Sequence, residues 1–310
     1  MTREPQADVG SVAARRAALV RRNWQRFGVD DERGALNLLE SSEVVSAARF
    51  VRRGEVFPLA REIGRSTPTP PIRPAPAHFM HRDGGDYPPL RGVPPRTQFS
   101  DDSILLALHT ATHIDALAHV WYGDEIFNGF AKETVTSRGA GRCGVEKLGP
   151  IVGRGVLLDV ATLLGMESLP EERQVTVEDL ERCLDVQNVT VQRGDIVLIR
   201  TGWWSAYAGL PHPTFEREPG PNLDAACWLA ERDVAVVGAD NFAFEALPSG
   251  VEGSVFPVHE LLLCDCGIPI LEGLALDDLA RQQVYEFMFV AAPLPIVGGT
   301  ASPLNPLAII

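Results

Sequence analysis

The sequence predicts a single α/β domain over residues 1–310. Short β-rich runs alternate with helical stretches along most of the chain, the pattern that lays helices over a largely parallel sheet. Hydrophobic residues make up 45% and charged residues 22% of the composition, enough apolar material for one sizeable core. No internal repeat and no linker forces a cut, so a length that would also admit two modest domains is read as one.

The elements follow in chain order. Val9, Val12, Ala13, Ala17 and Val20 recur at helical spacing among arginines near the amino terminus. Ser41 or Ser42 is placed to cap a helix running to Val51, with Gly54 as its stop. Strands are expected over residues 104–108, 155–160, 195–200, 234–237 and 284–290. Thr176 opens the helix TVEDLERCL and Asn222 opens NLDAACWLAER; both put acids in the first turn, where the helix dipole favours them. Residues 66–96 break the rhythm with nine prolines and a Gly-Gly pair. Proline removes backbone donors and glycine loosens the chain, so regular structure is not expected there. The stretch reads equally as a rigid surface loop or as a lid over a substrate site or interface, with His78, Phe79, Met80 and His81 at its centre.

Charge narrows the function classes. Lys plus Arg number 28 against 41 Asp plus Glu, a net charge of −13. Such a surface repels nucleic-acid phosphates and anionic lipid, leaving a small-molecule substrate as the expected partner. No apolar run approaches the ~20 residues that span a bilayer. The amino terminus lacks the apolar core of a signal peptide, so a cytoplasmic protein is expected. The five cysteines, Cys143, Cys183, Cys227, Cys264 and Cys266, are an odd set that fits reduced thiols. The Cys264-x-Cys266 spacing suits neither a redox pair nor a zinc knuckle, and buried packing sulfur is the expectation.

The chemistry concentrates in HTATHIDALAH. Of seven histidines, three (His109, His113 and His119) fall within these eleven residues, together with Asp115. On a helix, His109 and His113 would lie about 40° apart with Asp115 on the far side. On a strand all four would share a face, but His109 and His113 would be ~13 Å apart. Neither regular element converges the ligands. A strand ending near His109 and a tight turn returning His113 and Asp115 toward it would do so, with Thr110 and Thr112 bonding within the turn. Imidazole nitrogen plus carboxylate oxygen suits Zn²⁺, Mn²⁺ or Fe²⁺, and three ligands with room for water is the catalytic pattern. His119 is either a fourth ligand or a free acid–base group that titrates near neutrality. His259, ahead of a short apolar helical run, and Glu272, at the end of the strand-like residues 267–271, are further candidates. Asp240 and Glu245 in GADNFAFE read as a strand-end turn or as carboxylates supporting the ligands. Trp203 and Trp204 read as core or pocket wall. No GxSxG elbow, P-loop or GxGxxG run is present.

HTATHIDALAH resembles the HxGTHxDxPxH signature of the metal-dependent cyclase family, which includes bacterial kynurenine formamidase and isatin hydrolase. The match falls on His109, Thr112, His113, Asp115 and His119, with Ala111 in place of the glycine and Leu117 in place of the proline. WQRFGVDDERGALNLL, GDIVLIRTGWW, VGADNFAFE, HELLLCDCGIPILEGLALDDLA and FVAAPLPIVGGTASPLNP extend the resemblance to the ~300-residue branch. The resemblance implies a swivelling β/β/α fold, a homodimer or higher homo-oligomer, and a divalent ion, Zn or Mn. It implies His109, His113, Asp115, His259 and Glu272 as metal ligands and His119 as the catalytic histidine. The expected activity is metal-dependent hydrolysis of an amide or ester in a small cyclic or aryl substrate, such as an arylformamide, lactam or lactone. The alternatives are a metal-dependent cyclase or dehydratase and a metal-binding protein without activity.

Overall fold

The structure is a computed structural model that describes residues 9–85, 98–208, 210 and 215–310. A nine-stranded mixed sheet organises them. Its strands are β1 (Val56–Pro58), β4 (His113–Asp115), β5 (Ile151–Asp159), β6 (Ile196–Arg200), β7 (Val236–Ala239), β8 (Ile270–Glu272), β9 (Glu286–Ala291), β10 (Ala301–Pro303) and β11 (Leu307–Ile309). Two further strands, β2 (Ala77–Arg82) and β3 (Asp101–Leu105), pair only with each other as a hairpin outside that sheet.

The spatial order is β1-β11-β9-β5-β6-β7-β8-β4-β10. The four central strands, β5 to β8, run parallel, and antiparallel strands flank them on both sides. Parallel strands are covered on both faces and so read as unbroken apolar runs. IVLIR of β6 and VVGA of β7 are buried at every position. Edge-ward β9 instead alternates, with Phe287, Phe289 and Ala291 inward.

Of the predicted strands, those near 155–160, 195–200, 234–237 and 284–290 form within two or three residues of expectation at their starts, apart from the longer β5. The run at 104–108 is displaced. Its strand spans Asp101–Leu105, belongs to the outer hairpin, and ends four residues before His109. Proline-rich composition also misled for residues 77–82, where no proline interrupts AHFMHR and a strand forms. Residues 86–96 of that segment lie outside the described residues.

Helix α1 (Val9–Leu19) forms, but Ala17 and Val20 face solvent. Leu19 is its buried residue, and Arg15 and Arg16 anchor it by pairing with Asp224, Glu231 and Glu260. Helix α2 (Ser41–Ala47) continues as a 3₁₀ turn to Phe50; Glu40, not a serine, is the N-cap, with no side-chain cap bond. Helix α3 (Val177–Gln187) begins where expected, with a complete capping box: Thr176 Oγ1 accepts from Asp179 N while the Asp179 carboxylate accepts from Thr176 N. Helix α4 (Leu223–Glu231) is capped by Asn222, whose side chain accepts from Ala225 N. All five cysteines are buried free thiols. Among the described residues, no helix is long and apolar enough to cross a membrane.

The capping box gives a direct check on the local reading. Thr176→Ala removes one arm of it and should lower stability by about 1 kcal/mol, measured by denaturant unfolding.

Candidate metal centre

Strand β4 lies between β8 and β10. Its three residues are buried, and period-two alternation turns His113 and Asp115 to one face and Ile114 into the core on the other. Antiparallel register sets Glu272 of β8 directly opposite His113, which brings His113 Nε2 to 3.0 Å from Glu272 Oε2. The strand carrying the motif is therefore β4 itself, and the turn precedes it. Thr110 Oγ1 donates to Ala107 O at 2.6 Å within that turn. Thr112 reaches out of it, donating to Gly273 O at 2.6 Å and accepting from Arg61 N at 2.8 Å.

Two backbone positions make the turn possible. Ala111 adopts a left-handed conformation, φ 52°, where a glycine would be unstrained. Alanine in place of the family glycine thus keeps the conformation at an energetic cost. Gly273, at φ 63°, lies so close that a Cβ there would sit 2.4 Å from Ala111 O. The missing side chain lets the turn press against the end of β8.

His109 enters from before the turn and His119 from after β4, where a second turn donates His119 N to Ala116 O. His109 Nε2 lies 3.3 Å and His113 Nε2 3.6 Å from Asp115 Oδ1; His119 Nε2 lies 3.8 Å from Asp115 Oδ2. His259, at the end of the short helix Pro257–His259, brings Nε2 to 3.6 Å from Asp115 Oδ2 and 3.2 Å from Glu272 Oε1. Every site residue expected from the sequence therefore meets in one cluster. Two overlapping donor groups share Asp115: His109, Asp115 and His119, and His113, Asp115 and Glu272.

The donor set fits a metal ion. His109 Nε2, His113 Nε2 and both Asp115 oxygens are buried without a hydrogen-bond partner, a costly state for polar atoms unless something else satisfies them. Neighbouring ligands about 2.0–2.2 Å from one ion stand roughly 3 Å or a little more apart, and the separations among these donors run from 3.0 to 3.8 Å. The imidazoles are oriented from behind. His113 Nδ1 donates to Ala111 O at 2.9 Å, and His259 Nδ1 donates to Glu245 Oε1 at 2.6 Å. Each contact fixes the tautomer with Nε2 facing the cluster, the arrangement that supports metal-ligating histidines.

Electrostatics follow the geometry. Burial opposes charge on His259, but the carboxylates of Asp115, Glu245 and Glu272 outweigh it and hold its pKa well above the ordinary value. His109 is held well below, by burial and by the neighbouring His119 charge. Burial also lowers His119, with Asp115 opposing and His259 adding to the shift. Against its own burial, Asp115 is lowered by the surrounding imidazoles.

Sequence reasoning underrated two carboxylates. Glu245 is the anchor of His259, also accepting from the backbone N–H groups of Val258 and His259; Asp240 does form the strand-end turn, accepting from Thr201 and Gly202. Glu218 was missed. It is fully buried, one oxygen accepting from Phe242 N and Ala243 N at 2.7 and 3.0 Å, the other without a partner. In sequence it sits in the polar run FEREPG, which carries no sign of burial.

An apolar cavity of about 270 Å³ opens beside the cluster, with His119, His259 and Glu272 in its wall. Phe215, Phe242, Phe256 and Leu247 supply much of its apolar lining, and Pro70, Ile72 and Arg73 close one side. Trp203 is core: it packs behind Phe242, and Trp204 packs against the same small cluster.

A buried His/Asp/Glu donor set at the edge of an apolar cavity is the arrangement of a metal-binding protein whose ion would be open to a small molecule. The sequence profile of the Cyclase family matches residues 57–246, and the chain belongs to that family. It is 24% identical over 218 residues to isatin hydrolase of Roseibium aggregatum, covering 68% of this chain and 75% of that one. It is 26% identical over 205 residues to kynurenine formamidase of Geobacillus thermodenitrificans, covering 65% and 76%. A crystal structure described as a novel cyclase superposes with a TM-score of 0.86 at 37% identity, covering 93% of this chain and 99% of that one.

Glu218 yields a pH test. Burial pushes its carboxyl up to about 8 from an ordinary 4.5, against the two backbone donors that favour the charge. A carboxyl raised in the folded state binds its proton more tightly there. Its contribution is therefore complete below about 4.5 and lost as pH rises through about 8. Glu218→Gln keeps the acceptor and removes the titration. The variant should be more stable than wild type at pH 8 by about 1 kcal/mol or more, and lose that advantage at pH 5, in denaturant titrations at the two pH values.

Proposed function

We propose that the protein hydrolyses an amide or ester bond of a small cyclic or aryl substrate (an arylformamide, lactam or lactone) with a divalent ion, Zn or Mn, held by His109, His113, Asp115, His259 and Glu272. The observation that carries this reading is the set of orphaned buried donor atoms beside an apolar cavity. A bound ion supplies Lewis-acid polarisation of a carbonyl and a water nucleophile at neutral pH.

The chain supplies the rest. Phe215, Phe242, Phe256 and Leu247 exclude bulk water and fit one planar ring system. Of the three motif histidines, only His119 lines the cavity, and its side chain keeps 23% exposure. Its Nε2 is therefore the group placed to take a proton from the attacking water and return it to the leaving nitrogen or oxygen. Glu245 and the Ala111 carbonyl keep His259 and His113 in one tautomer throughout.

In this reading the first part of the proline-rich segment, residues 70–73, covers the site. Pro70, Ile72 and Arg73 border the cavity. The HFMH cluster expected at the centre of such a lid lies elsewhere, largely exposed on β2, where His78 pairs with Asp102 at 2.6 Å. The homodimer and the cytoplasmic location belong to the same proposal and rest on the family resemblance and on the composition.

Three measurements test it. His109→Ala, His113→Ala and Asp115→Ala should each lose most of the bound metal in elemental analysis; full occupancy in any two of them would overturn the ligand assignment. His119→Ala should keep fold and metal but lose activity on the order of 10²–10⁴-fold in a screen of formamides, lactams and lactones. Loss of metal would instead make His119 a ligand, and an unchanged kcat would remove it from the chemistry. Product from heavy-oxygen water must carry the label, since hydrolysis incorporates solvent oxygen and dehydration does not.

A further inference from the structure

We propose that Arg73 selects substrates bearing a carboxylate beside the scissile group, so that the natural substrate is an anionic aryl or cyclic amide or ester. The inference rests on the hydrolase reading for the reaction and on separate observations for the charge.

Arg73 is half-buried in the cavity wall. Among the described residues its partners are a carbonyl and a ring face, neither of them charged. Nη1 donates to His109 O at 3.0 Å, and the guanidinium carbon lies 5.2 Å from the Phe242 ring centroid. Several other shielded guanidinia are matched by acids, Arg200 by Asp159 and Asp277 and Arg154 by Asp195 and Glu286; Arg33, like Arg73, bonds to carbonyls, those of Leu148 and Pro150, but it does not line the cavity. A partly desolvated guanidinium without a counter-ion is costly unless a ligand supplies one.

The two contacts that Arg73 does make also orient it. One N–H is committed to the His109 carbonyl and the plane is steadied by the Phe242 ring, which leaves the remaining N–H fork for a planar oxyanion. A chain of net charge −13 disfavours anions generally, so an anionic substrate needs a local cation inside a low-dielectric cavity. A volume of about 270 Å³ holds one ring with a small substituent. Phe215, Phe242 and Phe256 would hold the ring, and Arg73 the carboxylate it bears.

The test uses an isosteric pair, benzoate and benzamide, titrated calorimetrically into the full-length, metal-loaded chain. Neither probe needs to be hydrolysed, so the outcome is independent of the proposed reaction. Arg73→Met should weaken benzoate about tenfold and benzamide by less than twofold, with metal content unchanged; Arg73→Lys should recover part of the benzoate affinity. Benzoate bound directly at the metal would be weakened by neither substitution, and that result would overturn the proposal. Equal weakening of both probes would also overturn it, because Arg73 would then act only by bracing His109.

Discussion

Two carboxylates, Asp115 and Glu272, are buried together as diagonal neighbours on one face of the antiparallel pair β4–β8, and most of the surrounding structure answers to that fact. Like charges so placed repel strongly in a medium that screens poorly. Four imidazoles close around them, His113 and His259 touching Glu272 and all four approaching Asp115 within 3.8 Å. The imidazoles relieve the repulsion only in part, since several donor atoms stay unmatched. The divalent cation proposed above would complete the balance, with its ligands already gathered around one point.

Holding that cluster requires backbone compliance at a few points and rigidity elsewhere. The rigid part is the parallel centre of the sheet, buried through Ile196–Arg200 and Val236–Ala239. Compliance sits at Ala111 and Gly273, which meet face to face with no side chain between them at the crossing. Thr112 then ties the two segments by donating to Gly273 O. The cavity wall depends on a further tier: Glu218 holds the Phe242 and Ala243 amides, and Trp203 packs behind the Phe242 ring.

Much of this was legible in the sequence because its signals are local. Thr176 and Asn222 announced their helices through side chains that bond three residues on. The histidine motif announced its chemistry by residue type alone. What was not legible depends on pairing. Nothing in residues 104–108 distinguishes a sheet strand from half of an outer hairpin, since both are apolar and extended. The strand reading of the motif is set aside in the sequence because it leaves His109 too far from His113, yet His113–Asp115 does form a strand, and the partner that completes its face, Glu272, is chosen by register with β8. Glu245 and Glu218 were opaque for a similar reason. Their roles arise from His259, Phe242 and Ala243, which reach them only through tertiary folding.

The cluster draws on chain positions far apart: the first four residues fall within eleven positions, whereas His259 and Glu272 follow more than a hundred residues later. During synthesis the early histidines and Asp115 emerge from the ribosome long before their partners exist. Strand β4 has neither neighbour until β8 and then β10 arrive. With the proposed ligand set, acquisition of an ion at full affinity would therefore be one of the last events in the maturation of the chain, coupled to the closing of its longest-range contacts. Truncation anywhere before residue 272 leaves a half-site, however complete the signature motif looks in the sequence.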